Sequence, residues 1–435
     1  MPHSPDTMFS LLDQHGAFAT LAEPMPDRTF SAAGRSMVKL LQKNNELTKF
    51  RVLRNQVFEL LDVRSFAEIK ELIDDEERRH LVSRRAYGLI GNMFGIHGNE
   101  REIVATVASY SRTADSVIRY LKSKVLNRYA SHIEMTNEVD ALSSPVDLLL
   151  IVFDDSYHQK ARFEAKRKLL LMNLAGYIDQ RERETDIEAK FADFLHFLNR
   201  HVWLPGTKIG DLELVYLHSR HHAADFSCLD YQLLSRDQGE KVRLQPGEKL
   251  TLLKRRRFKA QGREIPIYVS IRKKAPETKV LKLLRKGEEN PAVAVDDELG
   301  LMGVLDNLTD VKLFQSHLTK SAIAAHSFMV LEDISDSLTS GVDYRNKNIG
   351  SSVGTRMLKF FARMGGMRVE FIVHTNKSYL DYMYKRDVAH DEYEVKRIFD
   401  SGTAELLFPA DIYFLDMKKA RDHQIAWYRA KIEGA

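Results

Sequence analysis

A chain of 435 residues is longer than one ordinary domain and long enough for two or three, each with its own core. At 44% hydrophobic and 29% charged residues, with no apolar run longer than VDLLLIVF (146–153), it excludes a disordered chain and a membrane-spanning helix, which takes about 20 residues. The net charge of +4 conceals a local excess: residues 241–290 hold 16 Lys and Arg against 5 Glu, so the remainder is net acidic. A protein that coats nucleic acid spreads positive charge over a face, whereas so compact a cluster suits a polyphosphate. A solvated basic helix and loop is the plainer alternative. No basic-then-apolar leader opens the chain, and the single cysteine, Cys228, permits neither an internal disulfide nor a cysteine-built zinc site, so a cytoplasmic location is expected.

Residues 1–28, rich in Pro, Ser and Asp without a period, are expected to form a poorly ordered tail. From 29 to about 205 the pattern is helical, with few Gly or Pro. Ser65-x-x-Glu68 reads as a capping box, Asn99 with Glu100 and Glu102 as another helix start, and FEAKRKLLLMNLAGYI and IEAKFADFLHFLNRHV as further helices. The histidines of this half (His80, His97, His132, His158, His196, His201) lie in no metal-hydrolase motif. The HSRHH run (His218, His221, His222) lacks the acidic or cysteine companions of a metal site.

After Leu204-Pro205-Gly206, β signals take over. LELVYL, KLTLLKRRRF and REIPIYVSI read as strands, with Gln261-Gly262 as the turn between the last two. KVLKLLRKG predicts a short helix, PAVAVDDELGLMGVL a strand-like run containing an acidic pair, DNLTDVKLFQSHLTKSAIAA a helix and HSFMVLEDI a strand. TRMLKFFARM and MRVEFIVHT flank Gly365-Gly366 as a hairpin. KSYLDYMYKRDVAHDEYEVKRIF is helical, and DIYFLDMKK is expected as an edge strand. Strands and helices mix without strict alternation, so residues 206–435 should form an α/β (α+β) domain with a mixed sheet behind the all-helical domain.

Arg272, Lys274, Lys282 and Arg285 concentrate cations at a strand-to-helix corner, where Lys282 and Arg285, three apart, share a helix face. Arg clamps phosphate oxygens with a planar fork and Lys supplies a point charge, while the helix N-terminus adds its own attraction. The adjacent pair Asp296 and Asp297 is costly to bury without a cation, and Gly300 beyond it would let a ligand or backbone approach closely. Glu370, among Val369, Phe371 and Ile372, is either a sheet-edge charge or a metal ligand or base. Cations, carboxylates suited to Mg²⁺ and a base form a sufficient inventory for phosphoryl transfer on a nucleotide. No Walker P-loop and no GxGxxG occurs.

The order of these motifs resembles the synthetase domain of the RelA/SpoT-like alarmone synthetases, over roughly residues 240–400. Arg272, Lys274, Thr278, Lys282 and Arg285-Lys286-Gly287 match that family's opening motif; Asp297-Glu298-Leu299-Gly300 is similar to its D-x-x-G. Asp343-Tyr344 with Lys347-Asn348-Ile349-Gly350, Val369-Glu370 with Thr375, and Ala389-His390 with Tyr393 echo the later ones. The resemblance implies a nucleotidyltransferase-like fold and pyrophosphate transfer from ATP to the ribose 3′-hydroxyl of GDP or GTP, making a (p)ppGpp-type alarmone. On it, Arg272, Lys274, Lys282 and Arg285 hold the ATP phosphates, Asp297 binds Mg²⁺, and Glu370 binds Mg²⁺ or helps activate the acceptor hydroxyl. Lys347 lies near the acceptor, and Tyr344 offers a stacking face. Ser351 and Thr355 stand where the family has a Tyr and a His, and Met302, Ile372 and His374 replace an Arg, a Gln and an Arg. The departures thus fall on the acceptor side.

Two alternatives stand beside this one. The same chemistry can serve an adenine nucleotide or the 3′ end of tRNA, with Lys254 to Lys259 (KRRRFK) on the RNA backbone, or the fold can be a degenerate nucleotide-binding or interaction module. The helical residues 29–205 carry no hydrolase motif, which assigns them a sensing or restraining role, with a protein regulator or antitoxin as partner.

Overall fold

The computed structural model of the chain describes residues 39–204, 213–295, 297–339, 352, 354–364 and 366–434. The stretch expected as a tail (1–28) lies outside them. The chain forms two compact units, one of residues 1–111 with 135–169 and one of 112–134 with 170–435.

The first unit is helical: α1 Leu47–Leu61, α2 Phe66–Asp74, α3 Glu76–Met93, α4 from Glu100 (it runs on to Tyr120), α5 Pro145–Phe153, and the start of α6, Gln159–Thr185. Its local signals operate as expected, with one change. Ser65 caps α2 by accepting from the Glu68 N–H, but the Glu68 carboxylate takes the N–H of Arg64 at 3.0 Å instead of Ser65's own. Asn99 and Glu102 close a reciprocal box at the start of α4, at 2.8 and 3.1 Å. The apolar run 146–153 is α5, begun by Ser144 and Pro145 and packed with Leu61, Ile69, Leu72, Val82 and Ala86.

The second unit is built on an eight-stranded sheet in the order β2-β1-β3-β4-β5-β8-β7-β6. The strands are β1 Glu213–His221, β2 Cys228–Ser235, β3 Glu248–Ala260, β4 Arg263–Lys273, β5 Leu299–Leu305, β6 Met329–Asp336, β7 Leu358–Met364 and β8 Met367–Thr375. Pairing is antiparallel except between β5 and β8, so the sheet is mixed. The β3–β4 turn is the expected one: Gln261 and Gly262 both have positive φ, 48° and 77°, and Ala260 pairs with Arg263. The hairpin at 364–367 also forms, Met364 opposite Met367, although Gly365 lies outside the described residues.

Helices cover both faces. α7 (Ile187–Phe197) and α9 (Leu308–Ala324) bury Phe194, Val311 and Phe314 against Phe258, Ile267, Phe360 and Phe371. On the other face α10 (Asn376–Tyr384) packs Tyr379 and Leu380 against Val215, Leu217, Leu253 and Val304. Between β4 and β5 runs α8, Pro276–Lys286; Pro276 at N1 starts it and Gly287, at φ 64°, stops it. α11 (His390–Asp400) and α12 (Met417–Glu433) complete the unit.

Three expectations are corrected. The run PAVAVDDELGLMGVL is not one strand: Asn290 caps a helical turn at Pro291–Ala294, and β5 begins only at Leu299, so Asp297 sits in the approach to the strand. DIYFLDMKK is no edge strand; Ala410–Tyr413 is a helical turn, and Asp416 caps α12 by accepting from the Lys419 N–H. The boundary expected near residue 205 falls inside the second unit, because Ile187, Phe194, Phe197, Leu198, Val202 and Trp203 belong to the core of the sheet.

Candidate active site

Strand β4 delivers the first two cations. Side chains alternate along it, so Arg272 and Lys274 share one side while Lys273 turns to the other and pairs with Glu188. In the ladder Arg272 is opposite Gly300 of β5, and Gly300 is opposite Glu370 of β8. A Cβ at residue 300 would lie 3.2 Å from the Arg272 Nε and 3.6 Å from the Glu370 carbonyl. Gly300 has no positive φ, so the position demands space and not an unusual backbone. Through that space Arg272 crosses the middle strand, and its NH2 donates to Glu370 Oε2 at 3.2 Å. The close approach foreseen at Gly300 is that of a side chain of the protein itself.

Glu370 is buried, with its side chain 5% exposed, and its second oxygen is also taken: Lys359 Nζ of β7 lies 2.8 Å from Oε1. Lys359 was not among the residues picked from sequence, yet the signal was there. A hairpin with Met364 opposite Met367 places Phe361 opposite Glu370 and Lys359 diagonal to it.

Asp297 is held in the same way. Lys274 Nζ donates to Oδ2 at 2.5 Å and Lys282 Nζ of α8 to Oδ1 at 2.7 Å, with all three side chains largely buried. Burial alone would push the Asp297 carboxyl up; the Lys274 and Lys282 ammonium groups outweigh it and hold the carboxyl well below its ordinary range. Burial lowers the Lys274 amine, Asp297 opposes that shift, and Lys282 and Arg272 add to it. One residue on, Glu298 meets Lys279, which is 1% exposed and bonds Glu298 at 2.8 Å and Glu182 of α6 at 2.5 Å. The Lys274 N–H donates to the Glu298 carbonyl at 2.8 Å. These bonds fix the turn that carries Asp297.

The sequence-predicted residues therefore divide. Arg272, Lys274, Lys282, Asp297 and Glu370 come together, whereas Arg285, one turn past Lys282, turns towards Tyr393, Glu394 and Arg397 of α11 and Tyr120 of α4. Burial, then Arg397, lowers the pKa of its guanidinium, and burial pushes the Tyr120 phenol up to about 12. His390 and Tyr382, ring centroids 5.2 Å apart, are both close enough to Arg272 to feel its charge. Burial lowers the pKa of His390 and raises that of Tyr382. Tyr344, Lys347, Asp296 and Ser351 lie outside the described residues.

The replaced acceptor-side positions are apolar or neutral here. His374 is fully buried; its Nδ1 lies 3.0 Å from the Arg356 carbonyl, and burial lowers its pKa to about 4. Met302 packs partly buried with Tyr268, Tyr379 and Tyr382. Thr355 is buried, with its Oγ1 2.8 Å from Ser352 Oγ. The KRRRFK run is mostly engaged within the protein: Arg255 and Arg257 pair with Glu213 at 3.1 and 3.4 Å, and Arg256 is buried over the Trp203 ring. His221 of HSRHH bonds Ser219 at 2.8 Å and the Phe226 carbonyl at 2.9 Å inside the core, and His218 pairs with Glu248. Among the described residues no three His, Cys, Asp or Glu side chains cluster to hold a metal.

Carboxylate oxygens are the donor type that magnesium prefers. Here, however, all four oxygens of Asp297 and Glu370 already accept from an ammonium or a guanidinium. Four cations surround two carboxylates, so the site repels a free cation and attracts an anion. These side chains suit magnesium only after a polyphosphate has drawn the cations away. No protein-family model, no curated protein and no solved structure matches the chain.

Proposed function

We propose that the chain is a pyrophosphokinase of RelA/SpoT type with a nucleotidyltransferase-like sheet unit, moving pyrophosphate from ATP to the ribose 3′-hydroxyl of a guanine nucleotide. The observation that carries this reading is the meeting of Arg272 with Glu370, 98 residues apart in sequence, over Gly300 and beside the Lys274–Asp297–Lys282 group. The motif order groups these residues in the sequence, and Arg272, Lys274, Lys282, Asp297 and Glu370 are the part of that group which meets in the fold. In phosphoryl transfer the protein mainly positions the reactants and neutralises charge, which is what this inventory can do.

In this reading Lys274, Lys282 and Arg272 exchange their carboxylate partners for the phosphate oxygens of ATP. Arg272, whose side chain is 49% exposed, is the readiest to swing. Asp297, so released, would hold Mg²⁺ brought in with the nucleotide, and the metal would neutralise phosphate charge; Glu370, freed on the Oε2 that Arg272 leaves, serves instead as the base. The bond from the 3′-oxygen to the β-phosphorus forms as the bridge between α- and β-phosphates breaks. AMP leaves with the bonding electrons, and the hydroxyl proton passes to the Glu370 carboxylate, which Lys359 keeps in place.

The engagement of Arg255, Arg256 and Arg257 within the protein speaks against an RNA acceptor held by that run. The full ion pairing of both carboxylates favours, as a second reading, a module that binds nucleotide without turning it over. The test offers the full chain, with Mg²⁺ and ATP labelled on its terminal phosphate, GDP, GTP, ADP, ATP and bulk tRNA in parallel. Label on a guanine nucleotide, absent with Glu370→Gln, supports the proposal; label on another acceptor reassigns the substrate; bound ATP with no transfer to any acceptor leaves the binding module.

A further inference from the structure

Arg285 differs from the cations around it in having two buried donors, Nε and NH1, without a hydrogen-bond acceptor among the described residues. Neighbouring cations are all engaged: Lys282 with Asp297, Lys385 with Asp225, and Lys396 with Asp387 and Glu392. A second guanidinium, Arg397, stands beside Arg285; its NH1 donates to Glu394 at 3.0 Å and it lies over the Tyr393 ring, 5.0 Å from the centroid. Two guanidiniums thus stand close together in a half-buried place, and Glu394 pairs with only one of them.

Such an arrangement is expensive by itself, because buried donors in native proteins have partners and like charges repel. Arg stays protonated at any ordinary pH, so the strain is not relieved by losing a proton. An anion is the partner that such donors call for. Tyr393 and Arg397, though not Arg285, line a cleft of about 520 Å³ whose wall carries Lys385, Arg386 and Lys396 against Asp225, Asp387 and Asp400. A planar pair of guanidinium forks with an aromatic ring suits a phosphate group on a nucleotide.

We infer that Arg285 and Arg397 form a second oxyanion subsite, separate from the Arg272–Lys274–Lys282 group, which takes a phosphate of the second nucleotide in the transfer. The assignment to an acceptor rests on the proposed function; the existence of the subsite does not. His390 feels the charges of both Arg272 and Arg397, and Tyr382 those of Arg272 and Glu370.

The experiment is calorimetric titration of the full chain, first with a non-hydrolysable ATP analogue and then, at saturation, with inorganic pyrophosphate. Uptake of one further pyrophosphate is expected in the unmutated protein. Arg285→Gln and, independently, Arg397→Gln should weaken that second event about tenfold or more and leave the analogue within about twofold, while Lys282→Gln should do the reverse. Arg285→Lys, which keeps the charge and loses the fork, should fall between and serves if Arg285→Gln does not fold. If the analogue does not bind at all, the proposed function fails, but the subsite is still judged by pyrophosphate alone: two events in the unmutated chain, one of them lost with Arg285→Gln. Equal loss of both events with Arg285→Gln would put Arg285 among the donor-phosphate cations and overturn the inference, as would no loss of either.

Discussion

Asp297→Asn isolates the idea that Asp297 occupies the place of a phosphate. The substitution keeps the shape and removes the charge between two ammonium groups at 2.5 and 2.7 Å, in side chains only 11–14% exposed. At an effective dielectric of about 20 each contact carries roughly 6 kcal/mol of Coulomb energy, much of it offset by the desolvation that the carboxylate suffers. Removing one member of a buried ion pair costs in practice about 3–5 kcal/mol, and two facing ammoniums put this case at the upper end. For a unit of this size that corresponds to a fall in Tm of roughly 6–20 °C. Pyrophosphate without metal should reverse the loss, because its oxygens take the vacated place, and should bind Asp297→Asn about tenfold or more tighter than the unmutated chain. Thermal melts with a pyrophosphate series, followed by calorimetry, read both effects. An unchanged Tm, or pyrophosphate bound more weakly by the variant, would refute the reasoning.

Other outcomes follow from the same geometry. Gly300→Val should push Arg272 off Glu370 and cost about 1–3 kcal/mol in chemical denaturation, whereas Gly300→Ala, meeting the flexible Arg272 side chain at 3.2 Å and the Glu370 carbonyl at an ordinary 3.6 Å, should cost less; equal costs would mean that backbone and not space is at stake. Lys279→Met leaves Glu182 and Glu298 buried without their cation and should lower stability by about 3–5 kcal/mol, with Glu182→Gln relieving part of it in a double-mutant cycle; additive losses would deny that the three act together. His374 is held neutral inside, its folded pKa being lowered to about 4 from 6.5, so its contribution is complete above pH 6.5 and is lost as pH falls towards 4. About 3 kcal/mol of stability should disappear across that window, and His374→Gln should flatten the profile of the urea midpoint against pH. Identical profiles for the two proteins would exclude His374 as the source.

Local chemistry explains what the sequence determined alone. The start and stop of α8 lie in Pro276 and Gly287, the β3–β4 turn in Gln261-Gly262, and the β7–β8 register in the spacing around residues 364–367. Each of these depends on the φ preferences and capping of a few neighbouring residues. The same register already placed Lys359 beside Glu370, a partner that alternation alone could have supplied. Competing local signals account for the misjudged elements: Asn290-Pro291 and Asp416 cap helices in stretches whose apolar pattern fits a strand equally well. Only the tertiary structure decided which partner each cation takes. Lys282 and Arg285, one turn apart on one helix, part because Asp297 lies beside the first and α11 beside the second. Gly300 acquires its purpose only once β4, β5 and β8 lie side by side in that order, and helix α7 joins the sheet because its apolar face finds Phe371 there. Spacing along a chain constrains which side chains share a face, but which elements become neighbours is settled by burying the largest apolar area, a property of the whole sheet unit.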